Sequence, residues 1–68
     1  MNRKVSDRRY AYLFTVGGKI AWSNETADRL PNRADNDTDK ALIEDFIDAN
    51  RVGSFIELNT GEFIFQTA

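Results

Sequence analysis

Basic and aromatic residues are concentrated at the start of the chain, where they follow one another closely: Arg3, Lys4, Arg8, Arg9, Tyr10, Tyr12 and Phe14. Guanidinium and ammonium groups neutralise phosphates, and aromatic rings stack on unpaired bases, as in proteins that read single-stranded RNA on an open sheet. This stretch supports a nucleic-acid-binding module whose binding residues would be Arg3, Lys4, Arg8, Arg9, Tyr10 and Tyr12. The acidic total, the acidic helix and the absence of a glycine-aromatic RNA-binding motif weigh against it. A role for these aromatic residues in the core or in an oligomer interface is the favoured interpretation.

The middle of the chain carries the opposite charge. Residues 35–48 hold six carboxylates against Lys40, a local charge of −5, whereas the whole chain has a net charge of −2. On a helix, Glu44, Asp45 and Asp48 would lie on the outward side and could dock on a basic protein surface. A solvated helix exterior is the simpler interpretation of the same residues.

The run Asp35-Asn36-Asp37-Thr38-Asp39 begins like a calcium-binding loop, with alternating carboxylates. The pattern fails at Lys40, where such a loop needs glycine, and at Phe46, where it needs a bidentate glutamate. An acidic helix cap is the favoured interpretation. We therefore expect no metal site beyond weak adventitious binding of calcium or magnesium.

Catalysis has few candidate groups in this sequence. It contains no histidine and no cysteine, which excludes imidazole bases, thiol nucleophiles, disulfides and the usual zinc ligands. No serine lies in a nucleophile-elbow pattern, and Gly17-Gly18 belongs to a hairpin instead of a phosphate-binding loop. We expect a non-enzyme with no catalytic residues, no cofactor and no small-molecule substrate.

Length and composition indicate one small domain, residues 1–68. This length is close to the lower size at which a hydrophobic core alone holds a fold together. Apolar residues make up 41% and charged residues 29%, which is typical of a globular domain. No apolar run approaches a membrane span, and no apolar signal region follows the first basic residues, so we expect a cytoplasmic protein without membrane contact.

One stretch, Thr38 to Asn50, has apolar residues at helical spacing. Four of them recur on one side of a helix: Leu42, Ile43, Phe46 and Ile47. Asp37 or Thr38 is a suitable N-cap, and Gly53 ends the helical pattern. Strand-like segments flank this stretch on both sides, so we predict that the helix covers one face of a sheet.

Two strand-like runs separated by Gly17-Gly18 precede the helix and predict a hairpin with a two-residue turn. In that register Val16 faces Lys19 and Leu13 faces Trp22. One side of the ribbon carries Ala11, Leu13, Thr15, Ile20 and Trp22. The other side carries Tyr10, Tyr12, Phe14, Val16 and Ala21. Neither side is polar.

A second hairpin follows the helix over residues 54–67, and its register is open between two alternatives. A two-residue turn at Thr60-Gly61 puts four apolar residues on one face: Ile56, Leu58, Phe63 and Phe65. A type I turn with a glycine bulge over Asn59-Thr60-Gly61 turns Ile56 and Ile64 toward the core instead. It then groups Phe55, Phe63 and Phe65 on the reverse face. The Asn-x-Gly pattern favours the bulge.

The order of these elements predicts an α+β fold, β-hairpin–α-helix–β-hairpin (ββαββ), with a four-stranded antiparallel sheet and one helix packed on one face. Residues 1–8 are expected to form a flexible basic arm and residues 24–37 a long loop. We expect the uncovered face to carry Tyr10, Tyr12 and Phe14, joined in the bulged register by three phenylalanines. The long loop, a second copy or a partner protein must then cover it.

The sequence favours binding over catalysis. We expect a small protein-interaction module, either self-associating as a homodimer or binding and modulating, even inhibiting, a larger partner. Its expected partner-binding residues are Tyr10, Tyr12, Phe14, Glu44, Asp45 and Asp48. Size and charge are common among accessory proteins of phage and mobile-element genomes, although no motif points there. Nucleic-acid binding through the basic arm is the alternative.

Overall fold

The computed structural model describes residues 5–68, and its elements follow the predicted order. They are β1 (Arg9–Val16), β2 (Lys19–Thr26), α1 (Asp37–Ala49), β3 (Phe55–Glu57) and β4 (Phe63–Gln66). Short 3₁₀ segments occur at Val5–Asp7 and Leu30–Arg33. The four strands form one antiparallel sheet in the order β2-β1-β4-β3. The predicted α+β fold with one helix and four antiparallel strands is confirmed.

The first hairpin has the predicted register. Val16 pairs with Lys19 and Leu13 with Trp22. Gly17 and Gly18 have φ angles of 57° and 80°, which suit the two central positions of a type I′ turn. This turn follows the right-handed twist of the strands, so β1 and β2 remain paired over their full length.

The second hairpin adopts the bulged register. Ile56 pairs with Ile64 and Phe55 with Phe65. The Gly61 backbone N–H donates to the Leu58 carbonyl at 2.9 Å, and Gly61 has a φ of 100°. That angle is easily reached only by glycine. The turn therefore groups Phe55, Phe63 and Phe65 on one face, as the favoured alternative predicted.

Pairing between β1 and β4 joins the two hairpins and decides which sides of them share a face. Tyr12 pairs with Ile64, and Leu13 pairs with Phe63. Helix α1 covers the face of Tyr12 and Ile64, where the core consists of Tyr10, Tyr12, Ala27, Leu30, Ile43, Phe46, Ile47, Leu58 and Ile64. The expectation that Tyr10, Tyr12 and Phe14 lie on the uncovered face is therefore wrong: both tyrosines are buried and Phe14 packs against this core.

Helix α1 begins one residue earlier than predicted, at Asp37. Its N-cap is Asn36, not Asp37 or Thr38, because the Asn36 side chain accepts a hydrogen bond from the Asp39 backbone N–H at 2.8 Å. Asn50 ends the helix in the left-handed conformation. Ile43 and its neighbours on the stripe are buried, whereas Leu42 remains 38% exposed at its margin.

The connection predicted as a loop over residues 24–37 is more regular than expected. Its first three residues extend β2, and the 3₁₀ helix inserts the fully buried Leu30 into the core. Arg33 fastens this segment to β2 by an ion pair with Glu25 at 3.2 Å and a hydrogen bond to the Ser23 hydroxyl at 3.1 Å. The segment thus packs on the same face as α1 and leaves the other face open.

The expected basic arm is attached to the domain at its inner end. Arg8 donates a hydrogen bond from its guanidinium to the Ile47 carbonyl at 2.7 Å, at the carbonyl end of α1, where a positive charge is favourable. Arg3 and Lys4 lie outside the described residues. Within residues 5–68, no helix has the length and apolar character needed to cross a membrane.

Candidate functional site

The face of the sheet opposite α1 carries large apolar side chains that nothing in residues 5–68 covers. We call it the open face; it consists of Ala11, Leu13, Ile20, Trp22, Phe55, Phe63 and Phe65. Ile20, Trp22 and Phe55 are 77%, 61% and 63% exposed. Single exposed apolar residues are ordinary on protein surfaces, whereas a contiguous group of this size is a feature of many interaction sites.

The strand register arranges the open face in rows across the sheet. Leu13 lies between Trp22 on β2 and Phe63 on β4, and Ala11 lies between Asn24 and Phe65. The rings of Phe55 and Phe63 contact each other at a centroid distance of 6.1 Å. Because alanine is small, the middle of the face is a depression of about 510 Å³ between the indole and the phenylalanines.

Charge is sparse on the open face. By strand alternation, Arg9 lies at the start of β1, beside Thr26, and Glu57 lies on the edge strand β3, beside Phe63. These are the two charged residues that the described strands bring to this side of the sheet. The apolar centre therefore has no net charge, and its chemistry is that of an interface core with a polar rim.

Of the six predicted partner-binding residues, three are exposed, Tyr10 and Tyr12 are buried, and Phe14 is half-buried against the core. Glu44, Asp45 and Asp48 lie exposed on the side of α1 that faces away from the sheet. The Tyr10 ring packs against Phe46 at 5.8 Å. The Tyr12 ring stacks on Phe14 at 5.4 Å and is covered by the Arg33 guanidinium at 5.0 Å. These contacts occupy the ring faces that a partner or base would need. The aromatic residues therefore lie between the helix and the sheet, whereas the three acidic residues lie on the outer side of the helix.

Burial of the two tyrosines also affects their ionisation. Removal from water raises the pKa of the Tyr10 hydroxyl and of the Tyr12 hydroxyl, because the phenolate is poorly solvated there. The positive charge of Arg8 near Tyr10, and of Arg33 near Tyr12, acts in the opposite direction but is the smaller effect. Both residues are thus neutral core side chains at ordinary pH.

Asp39 is the buried carboxylate of the structure and joins the helix to the second hairpin. It accepts hydrogen bonds from the Asn59 backbone N–H at 2.9 Å, the Asn59 amide at 3.1 Å, the Thr60 hydroxyl at 3.2 Å and the Asn36 amide at 3.2 Å. The Asn59 backbone hydrogen bond is the largest of the effects that lower the pKa of Asp39. The run that begins like a calcium loop therefore serves as a helix cap. Within residues 5–68, no three acidic side chains lie close enough together to hold a metal ion.

Both apolar sides of the first hairpin are evident in the sequence, but the predicted open face was the side of Tyr10, Tyr12 and Phe14 and not the side of Ala11 and Leu13. Ile20 and Trp22, which lie on the second of these sides, were therefore not among the predicted site residues. The sequence of β2 contains a signal that distinguishes the two sides. The residues paired with Tyr10, Tyr12 and Phe14 are polar or small: Glu25, Ser23 and Ala21. Such residues suit the edge of a core that a connecting segment covers. Ile20 and Trp22 are large and apolar at the edge strand, which suits an interface.

Comparison with known proteins gives no further information on the site, since the chain matches no protein-family model, no curated protein and no solved structure.

Proposed function

We propose that this protein is a protein-interaction module, not an enzyme, and that it binds its protein partner through the open face. The observation that carries the proposal is the exposure of Ile20, Trp22 and Phe55 on one contiguous surface. Aromatic side chains such as tryptophan dominate the energetics of protein interfaces because they bury a large area at a small entropy cost.

The acidic side of α1 is a second, weaker part of the proposal. Glu44, Asp45 and Asp48 are exposed, and they lie on the far side of the helix from the open face. A carboxylate cluster of this kind affects the rate of encounter with a basic partner more than the affinity. When a partner occupies the open face, this acidic side remains free to contact a second, basic protein surface.

The alternative of nucleic-acid binding has less support among residues 5–68. The Tyr10 and Tyr12 rings, which would have stacked on bases, are core residues. The Arg8 guanidinium is engaged with the Ile47 carbonyl. Arg9 is then the basic residue that the described strands bring to the open face, whereas nucleic-acid-binding proteins usually present several phosphate contacts.

Site-specific photocrosslinking tests the proposed surface. A benzophenone amino acid would replace Phe55, at 63% exposure, and in a matched control it would replace Val52, at 62% exposure outside the open face. In cells of the source organism we expect discrete protein adducts from position 55 and few from position 52. A Trp22→Glu change in the position-55 protein should abolish the adducts, because it places a charge in the apolar centre.

Three results would contradict the proposal. One is equal labelling from positions 52 and 55, which would indicate that the adducts report exposure alone. Another is labelling from position 55 that survives Trp22→Glu unchanged. The last is an adduct that nuclease removes and protease does not, which would transfer the open face to the nucleic-acid alternative.

A further inference from the structure

We infer that the occupant of the open face is a second copy of the chain, which packs sheet against sheet about a two-fold axis. This inference rests on the proposed function, since it names the partner of the same surface. Two twisted sheets that pack face to face bury the apolar side chains of both inner faces in one layer. The dimer would thus have a helix layer on each outside and the two sheets between them.

The area of the open face is the first argument. Its five most exposed large side chains, Ile20, Trp22, Phe55, Phe63 and Phe65, are between 37% and 77% exposed. Taking roughly 200 Å² for a large side chain, these five leave about 550 Å² of apolar surface in water. A standard interface buries about 800 Å² per partner, so these side chains alone supply about two thirds of it before the partly exposed residues around them are counted.

The charge distribution is the second argument. A two-fold interface brings the same surface of both copies together, so a net charge on that surface would repel itself. The seven residues of the open face carry no charge, and the two charged residues beside them have opposite signs: Arg9 at the start of β1, and Glu57 on the edge strand β3 next to Phe63. A strongly basic or acidic partner would find no complementary charge there, whereas a second copy needs none.

The relief of the face is the third argument. Trp22 stands beside the depression over Ala11, which the phenylalanines of β3 and β4 border on the other side. A two-fold axis near β1 carries the indole of each copy to the depression of the other, which is large enough for it. The same ridge and depression are therefore complementary to themselves, as an interface between identical copies requires.

Sedimentation velocity of the purified chain over a wide concentration range tests the inference. We expect a reversible monomer–dimer equilibrium for the wild type. Trp22→Glu should raise the dimer dissociation constant by about 30-fold or more, the loss expected from a central interface residue. Val52→Glu, equally exposed but outside the open face, should leave the constant unchanged.

Tryptophan fluorescence gives a readout that requires no variant at this position, because Trp22 is the single tryptophan of the chain. Dilution of the wild type should shift its emission to longer wavelength over the concentrations at which the mass falls, since dissociation returns the indole to water. Phe55→Glu should give the long-wavelength emission at all concentrations while its circular dichroism remains that of a folded protein.

A chain that is monomeric at all concentrations would overturn the inference. So would a dimer whose dissociation does not shift the Trp22 emission and whose dissociation constant is not changed by Trp22→Glu. The mass of the position-55 photoadduct separates this failure from failure of the proposed function. An adduct with a different protein contradicts the second copy and supports the interaction module. An adduct of twice the chain mass supports both.

Discussion

Asp39 shows how one side chain can fix the relative position of two elements. It lies in the first turn of α1, and its carboxylate collects donors from Asn59 and Thr60 in the turn between β3 and β4. Asn36 completes the arrangement, because its side chain both accepts from the Asp39 backbone and donates to the carboxylate. The carboxylate is buried yet fully satisfied, which is the condition under which a buried charge is tolerated.

The lowered pKa of Asp39 predicts acid sensitivity. Its pKa in the folded state lies below the ordinary value of an aspartate. The ionised form therefore stabilises the fold at higher pH, and that contribution is lost as pH falls below about 4. We expect Asp39→Asn to be less stable than the wild type at neutral pH, and its free energy of unfolding to depend less on pH in this acid range. Urea unfolding at a series of pH values measures both.

The control for this measurement is Asp37→Asn, in the same helical turn but exposed. Its unfolding curve should keep the acid dependence of the wild type. If Asp39→Asn and the wild type lost stability in parallel from pH 5 to pH 2, the carboxylate would not be the group that titrates.

At the scale of elements, two glycine turns close the hairpins, and they differ in what they tolerate. Gly17 has a φ of 57°, which asparagine also adopts, and occupies the first central position of a type I′ turn. Gly61 has a φ of 100°, outside the region that residues with a side chain adopt easily. No atom lies within 4 Å of a Cβ added at either position, so the difference is one of backbone conformation and not of space.

Substitution should therefore be costly at Gly61 and nearly neutral at Gly17. Gly61→Ala should reduce the free energy of unfolding by about 1–2 kcal/mol, the cost of a left-handed residue with a Cβ. Gly17→Asn should change it by no more than about 0.5 kcal/mol, or stabilise, because asparagine narrows the unfolded ensemble. Chemical denaturation of both variants beside the wild type measures this difference, and equal losses would contradict the assignment of the turns.

The elements could be predicted from sequence because their signals are local. The Gly17-Gly18 turn, the spacing of Ile43, Phe46 and Ile47, and the Asn-x-Gly bulge each act within a few residues of the chain. The relation between the hairpins could not, because it depends on the pairing of Tyr12 with Ile64 across 52 positions. A shift of that pairing by one residue would exchange the two faces of β1, and nothing local opposes it.

At the scale of the molecule, the fold has one core layer and one bare side. Helix α1 and the segment around Leu30 cover the sheet face that holds Ile64, whereas the open face carries comparably large side chains in water. A domain of this size has a small margin of stability, roughly 5 kcal/mol, and depends strongly on each buried residue. The two faces should respond very differently to the loss of the same side-chain atoms.

Truncation of an isoleucine on each side measures this contrast. Ile64→Ala removes a fully buried side chain and should cost about 2–5 kcal/mol, enough to leave a large fraction unfolded. Ile20→Ala, at 77% exposure, should change the unfolding free energy by less than about 0.5 kcal/mol in dilute solution. Thermal and urea unfolding of both variants would contradict the layer arrangement if the two losses were similar.

The position of β1 and β4 also determines how the fold yields to force. The Arg9 backbone N–H donates to the Ala68 carbonyl at 3.0 Å, and the Thr67 N–H donates to the Arg9 carbonyl at 2.8 Å, so the start of β1 lies beside the end of β4. Tension applied across these two points loads the hydrogen bonds between the central strands one pair after another, from Tyr10 and Gln66 inward. They open like a zipper, not in shear, and the two hairpins come apart. A force that pulls these two points apart, as in an optical trap, should therefore meet little mechanical resistance.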